Sequence, residues 1–374
     1  MNNLTITLRS EQRRPRGQIR FNKAEAVIRK NQVTTFVIDV SPEDSEKINR
    51  VKPGWGLILA EDDLTISGPI TTNIRNNEGG IIERKLGGIS DLHILEDRIT
   101  LPDPASPVSA QNTAYYKDKG AAETIIKKLV SANAGNTATS SRRTPGLIIA
   151  PSEGRGGAAT INTRLKNLLE EVATIAETAG LVLDCFQQSK STDIIFDVRP
   201  VKNRARKVRL TSRNDELTSY ANEQTAPTTT AVIVGGQGEG AAREITEFSN
   251  NDGWGGRRIE IFKDRRDTEE LDEARKTAME ELGKGGAGID LTFSVHDSQA
   301  RRFGRDYQVG DIITVELENG AIFTEQLTSA RITWKEGTRE VELTVGNSDD
   351  DKVTTNERKQ IRALSSQILS LQAQ

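Results

Sequence analysis

The sequence predicts a mainly β, α+β fold: two small antiparallel β-barrel-like units, an α+β unit between them and a C-terminal helix. Three observations carry this. Near both ends of the chain, apolar and polar residues alternate over short runs closed by Gly, Pro, Asn or Asp, as half-buried strands require. Between them the period lengthens to that of amphipathic helices, at 120–133 and at 163–179. One arrangement also occurs twice. Lys52-Pro53-Gly54 enters Leu57-Ile58-Leu59, an acidic turn and Leu64-Thr65-Ile66. Gln308-Val309-Gly310 enters Ile312-Ile313-Thr314-Val315, then Glu318-Asn319-Gly320 and Ile322-Phe323-Thr324.

The bulk numbers narrow the function classes. A length of 374 residues allows two to four domains. Aromatics are only 4%, which argues against a ring-lined carbohydrate groove. The 51 basic and 54 acidic residues nearly balance, so general nucleic-acid binding is not expected. Cys185 is the single cysteine, so no intrachain disulfide can form. No window has the length and apolarity of a membrane span. The first residues, MNNLTITLRSEQRR, do not read as a secretory signal. Synthesis in a cytoplasm is expected, which also suits a particle assembled there.

Residues 1–100 read as the first barrel. Leu4, Ile6 and Leu8 share one strand face, and runs at 17–21, 25–29 and 33–40 continue the pattern. Ser41-Pro42-Glu43 predicts a short helix, with serine as its cap. Strands at 55–60, 64–70 and 81–86 follow, short and turn-separated as in a small barrel. Residues 101–113 hold Pro102, Pro104 and Pro107 and read as a linker.

Residues 114–231 form the expected α+β unit. Its first helix turns Ile125, Ile126, Leu129 and Val130 to one side. The second, over 163–179, aligns Leu165, Leu168, Leu169, Val172, Ile175, Ala176 and Ala179, with Gly180 as its stop. Strands at 181–187 and 193–198 complete the unit. The basic run Lys202, Arg204, Arg206, Lys207, Arg209 and Arg213 lacks interleaved aromatics and reads as a strand edge or interface rim.

Residues 232–348 combine a glycine-rich junction, a helix from Asp267 and Thr268 to about Leu282, and the second barrel. Its strands fall at 259–262, 289–295, 311–317, 322–327 and 339–345. Residues 349–374 read as the C-terminal helix, entered through the capping-box spacing of Thr354 and Glu357. There Ile361, Leu364, Ile368 and Leu371 follow a two-heptad seam, suited to packing on its own domain or to self-association.

The one stretch resembling an active site is 232–245, VIVGGQGEGAAREI, with Gly235, Gly236, Gly238 and Gly240. Gly236, Gly238 and Ala241 satisfy the dinucleotide-binding spacing, but that motif needs a long helix after the loop. Ser249-Asn250-Asn251-Asp252-Gly253 leaves room for two turns at most, so the phosphate reading is set aside. The glycines are expected to mark a structural junction where the backbone turns sharply. No cofactor is expected, and no metal site: His93 and His296 each lack a second histidine at ligand spacing. Cys185 lies in an apolar run and reads as core. Glu170-Glu171 and Glu280-Glu281 fall on helix surfaces, and a carboxylate-only hydrolase is the enzymatic alternative.

The order of these features resembles the baseplate-hub, or tail-tip, proteins of long-tailed bacteriophages, particularly the siphophage type. The residues that carry it are Val51-Lys52-Pro53-Gly54, Ser67-Gly68-Pro69-Ile70, Leu95-Glu96-Asp97-Arg98 and the run YYKDKGAAE at 115–123. They continue with the glycine run, Trp254-Gly255, Ile259-Glu260-Ile261-Phe262, Arg265-Arg266-Asp267 and YQVGD at 307–311. The resemblance implies a structural, non-enzymatic homotrimer in the virion, whose two barrels per chain make a pseudo-sixfold ring. That ring would adapt a six-fold tail to a three-fold tip around the channel for the tape-measure protein and the passing DNA. Implied neighbours are the distal tail protein and central spike or tail-fibre proteins. A tail-associated cell-wall hydrolase and the hub of a contractile injection particle are the alternatives.

Overall fold

The computed structural model describes residues 4–78, 81–188, 190–212, 217–250, 255–265, 271–286, 288–295, 301–335 and 337–346. The heptad residues Ile361, Leu364, Ile368 and Leu371 lie outside these, as do Arg213, Trp254, Arg266, Asp267, Thr268 and His296. Of the described residues, 4–220 with 292–344 form one compact unit, and 221–291 with 345–346 form a second.

The first unit opens with β1 (Thr5–Arg9), β2 (Pro15–Ile19), β3 (Phe21–Arg29), β4 (Thr35–Val40), β5 (Gly56–Glu61), β6 (Leu64–Glu78) and β7 (Ile81–Ile89). Two one-turn helices accompany them, α1 (Ser45–Ile48) and α2 (His93–Glu96). Alternation selects the core face: Ile6 and Leu8 of β1, Phe36 and Ile38 of β4, and Leu86 of β7 are buried. Ser41 makes no side-chain cap bond. Buried Asp44 organises that turn instead, accepting the Arg20 N–H at 2.7 Å and pairing with Lys47.

β6 runs for 15 residues, far beyond the expected 64–70. It can do so because it changes partner: residues 64–69 pair with β5 and residues 70–78 with β7, with a register shift between Ile70 and Thr72. Such a bulge bends a strand from one sheet surface onto another. Gly68 stands at the bend. A Cβ there would lie 1.7 Å from the Ile89 carbonyl oxygen, so only glycine admits this backbone crossing.

The α+β part contains β8 (Tyr116–Ala121), α3 (Ala122–Asn133), β9 (Leu147–Ile149), β10 (Ala158–Thr163), α4 (Leu168–Thr178), β11 (Leu181–Gln187) and β12 (Ile194–Pro200). β11 and β12 are antiparallel, β9 joins β12 in parallel, and β8 pairs with β10. Leu129 and Val130 of α3 pack with Val172 and Ala176 of α4 over Phe196. α4 begins five residues later than periodicity suggests. Thr163 is buried in β10, Leu165 adopts φ +52° with its side chain 53% exposed, and Asn167 caps the helix by accepting the Glu170 N–H. Residues 101–113 contain turns only, yet they are tied down. The buried Leu101 N–H donates to Asn133 Oδ1, and Gln111 bonds back to Asp103.

The remaining elements are β13 (Arg209–Thr211), β14 (Leu217–Thr225), β15 (Ala231–Gly235), β16 (Ile245–Ser249), β17 (Glu260–Asp264), α5 (Leu271–Gly285), β18 (Gly288–Val295), β19 (Ile312–Glu316), β20 (Ile322–Lys335) and β21 (Thr338–Gly346). β20 repeats the habit of β6: residues 322–326 pair with β19, then the strand runs on to β21. Strands from the two expected barrel regions share one sheet. β3 pairs antiparallel with β20, from Lys23 opposite Lys335 to Arg29 opposite Ser329. The described strands thereby join in one 13-stranded sheet, ordered β14-β18-β21-β20-β3-β4-β7-β6-β5-β1-β2, with β19 beside β20 and β13 beside β19. The mainly β, antiparallel class expected from sequence holds.

In the second unit, β15 lies between antiparallel β16 and parallel β17. Its Val232 and Val234 pack against Ala274, Ala278 and Leu282 of α5.

Candidate functional site at the barrel junction

The glycine run forms the hairpin between β15 and β16, inside the second unit. Gly235 is the last residue of β15, opposite Ile245, and the Gly236 N–H donates to Glu244 O at 2.8 Å. Gly238 has φ +97°, and a Cβ there would sit 2.6 Å from the Ala242 carbonyl oxygen. Arg243 folds back over the loop. Its guanidinium donates to the Gly235 and Gly236 carbonyls, pairs with Asp264 and lies 5.4 Å from the Phe262 ring centroid. A phosphate cradle needs free N–H groups, but those of Gly236, Ala242, Arg243 and Glu244 are all spent inside the loop. One 3-10 turn, Gly240–Ala242, stands where the long helix would have to be. The chain passes between the two units at 220/221, 291/292 and 344/345.

The other sequence candidates are equally occupied. His93 Nδ1 is 3.0 Å from Ser90 O, and its Nε2 is 3.8 Å from Asp97. Burial, with Asp91 and Asp184 nearby, pushes the Cys185 thiol well above its ordinary value, the opposite of what a nucleophile needs. Glu171 pairs with Lys166 and Glu281 with Lys263. In the basic run, Arg204 pairs with Asp311 and Arg209 with Glu316. Among the described residues, no group of three His, Cys, Asp or Glu side chains could hold a metal.

The chemistry concentrates where the end of β5 meets β20 and β21. Glu61, the last residue of β5, is almost fully buried and accepts three bonds of 2.8 Å. They come from Arg302 Nη2, Arg339 Nε and the indole Nε1 of Trp334. Arg302 also pairs with Asp62, and Arg339 donates to Phe303 O. The acidic tip of the β5–β6 hairpin is thus held against Arg302 and against Trp334 and Arg339 of β20 and β21. A carboxylate this buried persists only with such partners. Sequence reasoning took Glu61 for a turn residue. The available signal was the cationic run Arg301, Arg302 and Arg305 just before the second hairpin.

Two further buried clusters fasten the α+β part. Arg9 makes a bidentate pair with Asp91, at 2.6 and 2.8 Å, and also donates to Gln187 Oε1 at 2.7 Å. Ser67 Oγ donates to Asp91 and accepts the Gln187 N–H. On α3, Glu123 accepts from Lys127 Nζ and from the N–H groups of Glu153 and Arg155. Burial pushes the Glu123 carboxyl up, but these donors outweigh it and hold it below its ordinary value. A depressed folded-state value contributes stability that is present above the unfolded value of about 4.3 and lost as pH falls through the folded one. Glu123→Gln is therefore expected to lower the denaturation midpoint at pH 7, with the gap to the parent chain closing in acid below pH ~4.

Comparison with known proteins places this architecture. The 43 kDa tail protein of prophage MuSo2 from Shewanella oneidensis superposes with a TM-score of 0.60 at 11% identity, covering 91% of this chain and 98% of that one. A tail protein from Neisseria meningitidis MC58 gives 0.57 at 13% identity, covering 93% and 98%. Prophage tail protein gp18 from Listeria monocytogenes EGD-e gives 0.54 at 10% identity, covering 96% and 99%. At these identities the likeness is one of fold: the chain is built as these phage tail proteins are. No curated protein sequence matches it. The sequence is nevertheless recognised over residues 5–347 by one family model, and the chain belongs to that family, the Siphovirus ReqiPepy6 Gp37-like proteins.

Proposed function

We propose that the protein is a structural hub subunit of a phage tail tip or baseplate. Three copies close a ring by repeated heterologous contacts. Each copy contributes two similar barrels, so the ring offers six similar elements on a three-fold frame. It adapts a six-fold tail to a three-fold tip and surrounds the channel for the tape-measure protein and DNA. The distal tail protein lies on one side and spike or fibre proteins on the other.

The observation that carries this reading is the pairing of β3 with β20. It joins two barrels built on the same long-strand plan edge to edge, with Glu61 locking the seam. A subunit that must present two equivalent faces at a fixed angle needs such a joint, and a hydrolase does not. Buried carboxylates such as Glu61, Asp91 and Glu123 are committed to cations. Electron microscopy of the purified full chain tests the assembly: rings with a central opening are expected, and particles of single-chain size at high concentration would contradict it. Peptidoglycan zymography tests the enzymatic alternative, with no clearing expected.

A further inference from the structure

The two barrels follow one plan, but only one is complete. In the second barrel, the outer edge of β20 is covered by β3 over 329–335, and the barrel end is plugged by Glu61 and Asp62. The matching places of the first barrel stand open. Over 71–77, β6 has β7 on one edge and, among the described residues, no strand on the other. Ile82 is the second residue of β7, as Arg339 is of β21; it is 36% exposed, whereas the Arg339 side chain is 7% exposed.

Two residues further along the same strand face lies Arg84, only 9% exposed. Its Nη2 donates to Asn49 Oδ1 and its Nε makes no hydrogen bond. No carboxylate among the described residues pairs with it. Burial and the nearby Arg75 both push its guanidinium below the ordinary arginine value. A buried cation with no counter-ion is costly, and an incoming carboxylate would relieve it.

The far end of the same sheet carries what this site lacks. The tip of the second hairpin holds Glu318, exposed and bonded to the Tyr220 hydroxyl at 2.5 Å, and Ile322, 57% exposed. Beside it runs β14, the terminal strand of the sheet, with Thr218, Ser219 and Tyr220 exposed. Inside the chain, a hairpin tip (Glu61, Asp62) and one edge of β3, whose other edge pairs with β4, together cover the end of β20 and β21. The second tip and the open edge of β14 offer a like combination of hairpin tip and strand edge, and a second copy supplies the β6 edge to receive them.

We propose that the Arg84 site of one copy is completed by the Glu318 tip of a second copy. β14 of that copy adds antiparallel to the free edge of β6, as β3 adds to β20. The contact is head-to-tail, the type whose repetition gives a ring where the rotation between copies closes. It rests on the ring reading above and names the residues of the ring contact. The partner tip supplies a carboxylate to Arg84 and Arg75 and an apolar side chain, Ile322, to Ile82.

The test measures native mass of the full chain over a dilution series, for the parent chain, Glu318→Arg, Ile322→Asp, Arg84→Glu and the double exchange Arg84→Glu with Glu318→Arg. Glu318→Arg and Ile322→Asp change exposed side chains, and a matching thermal midpoint checks that each variant folds. Each is expected to weaken assembly about tenfold or more, and the double exchange to recover most of the loss. If the parent forms rings and both exposed variants assemble like it at every dilution, this contact is overturned while the ring reading stands. If the parent remains a single chain, both fall. If Arg84→Glu does not fold, the two exposed variants decide.

Discussion

Glu61→Ala is expected to lower folding stability by about 3–5 kcal/mol, the cost of removing one partner from a buried charge cluster. Three donors lose their acceptor at once: Arg302, Arg339 and the Trp334 indole. The Arg339 side chain is 7% exposed and that of Arg302 19%, so water replaces the carboxylate poorly. The cluster also holds the β5–β6 hairpin against β20 and β21, so the loss should open that contact as well as weaken the core. Urea titration checks it: the midpoint should fall with little change in slope. Glu325→Ala, at an exposed position of β20, should stay within about 0.5 kcal/mol of the parent and serves as the control.

Asp91→Ala is expected to cost a similar ~3–5 kcal/mol by stranding Arg9. Both guanidinium bonds to the carboxylate disappear, and Gln187 is the one acceptor left among those described for Arg9. Ser67 loses the acceptor that orients its hydroxyl, and through it the support of the Gln187 N–H. Its signature therefore differs from that of Glu61→Ala. Hydrogen exchange should rise at Gln187 and along β11 before it rises at β20.

Much of this molecule is legible in its sequence where local physics decides. β11 occupies the expected residues 181–187, because Leu181, Val182 and Leu183 are bounded by Gly180 and polar residues. The repeated hairpins become β5–β6 and β19–β20, because a glycine turn before an apolar strand specifies the same local structure each time. What escapes is set by distant partners. β6 runs past Ile70 through Thr71, Thr72 and Asn73, residues without alternation, because β7 is there to pair with them. The joining of β3 to β20 links residues about 300 positions apart in sequence and leaves no local trace. Leu165 fits the helical stripe on paper, but buried Thr163, held by Thr100, stays in its strand, the backbone turns through a left-handed Leu165, and the helix starts only after Asn167. Glu61, Arg302 and Arg339 read separately as solvated charges, and only the fold brings them together. The glycine run is the reverse case: its spacing suggests phosphate binding, and the bonding inside its own loop accounts for it.

The central claim is that this chain is an assembling ring subunit. The most direct test is the native mass of the purified chain at increasing concentration. The account predicts convergence on three chains of 41.0 kDa each, with no larger open-ended species. A mass that stays at one chain up to the highest soluble concentration would contradict it.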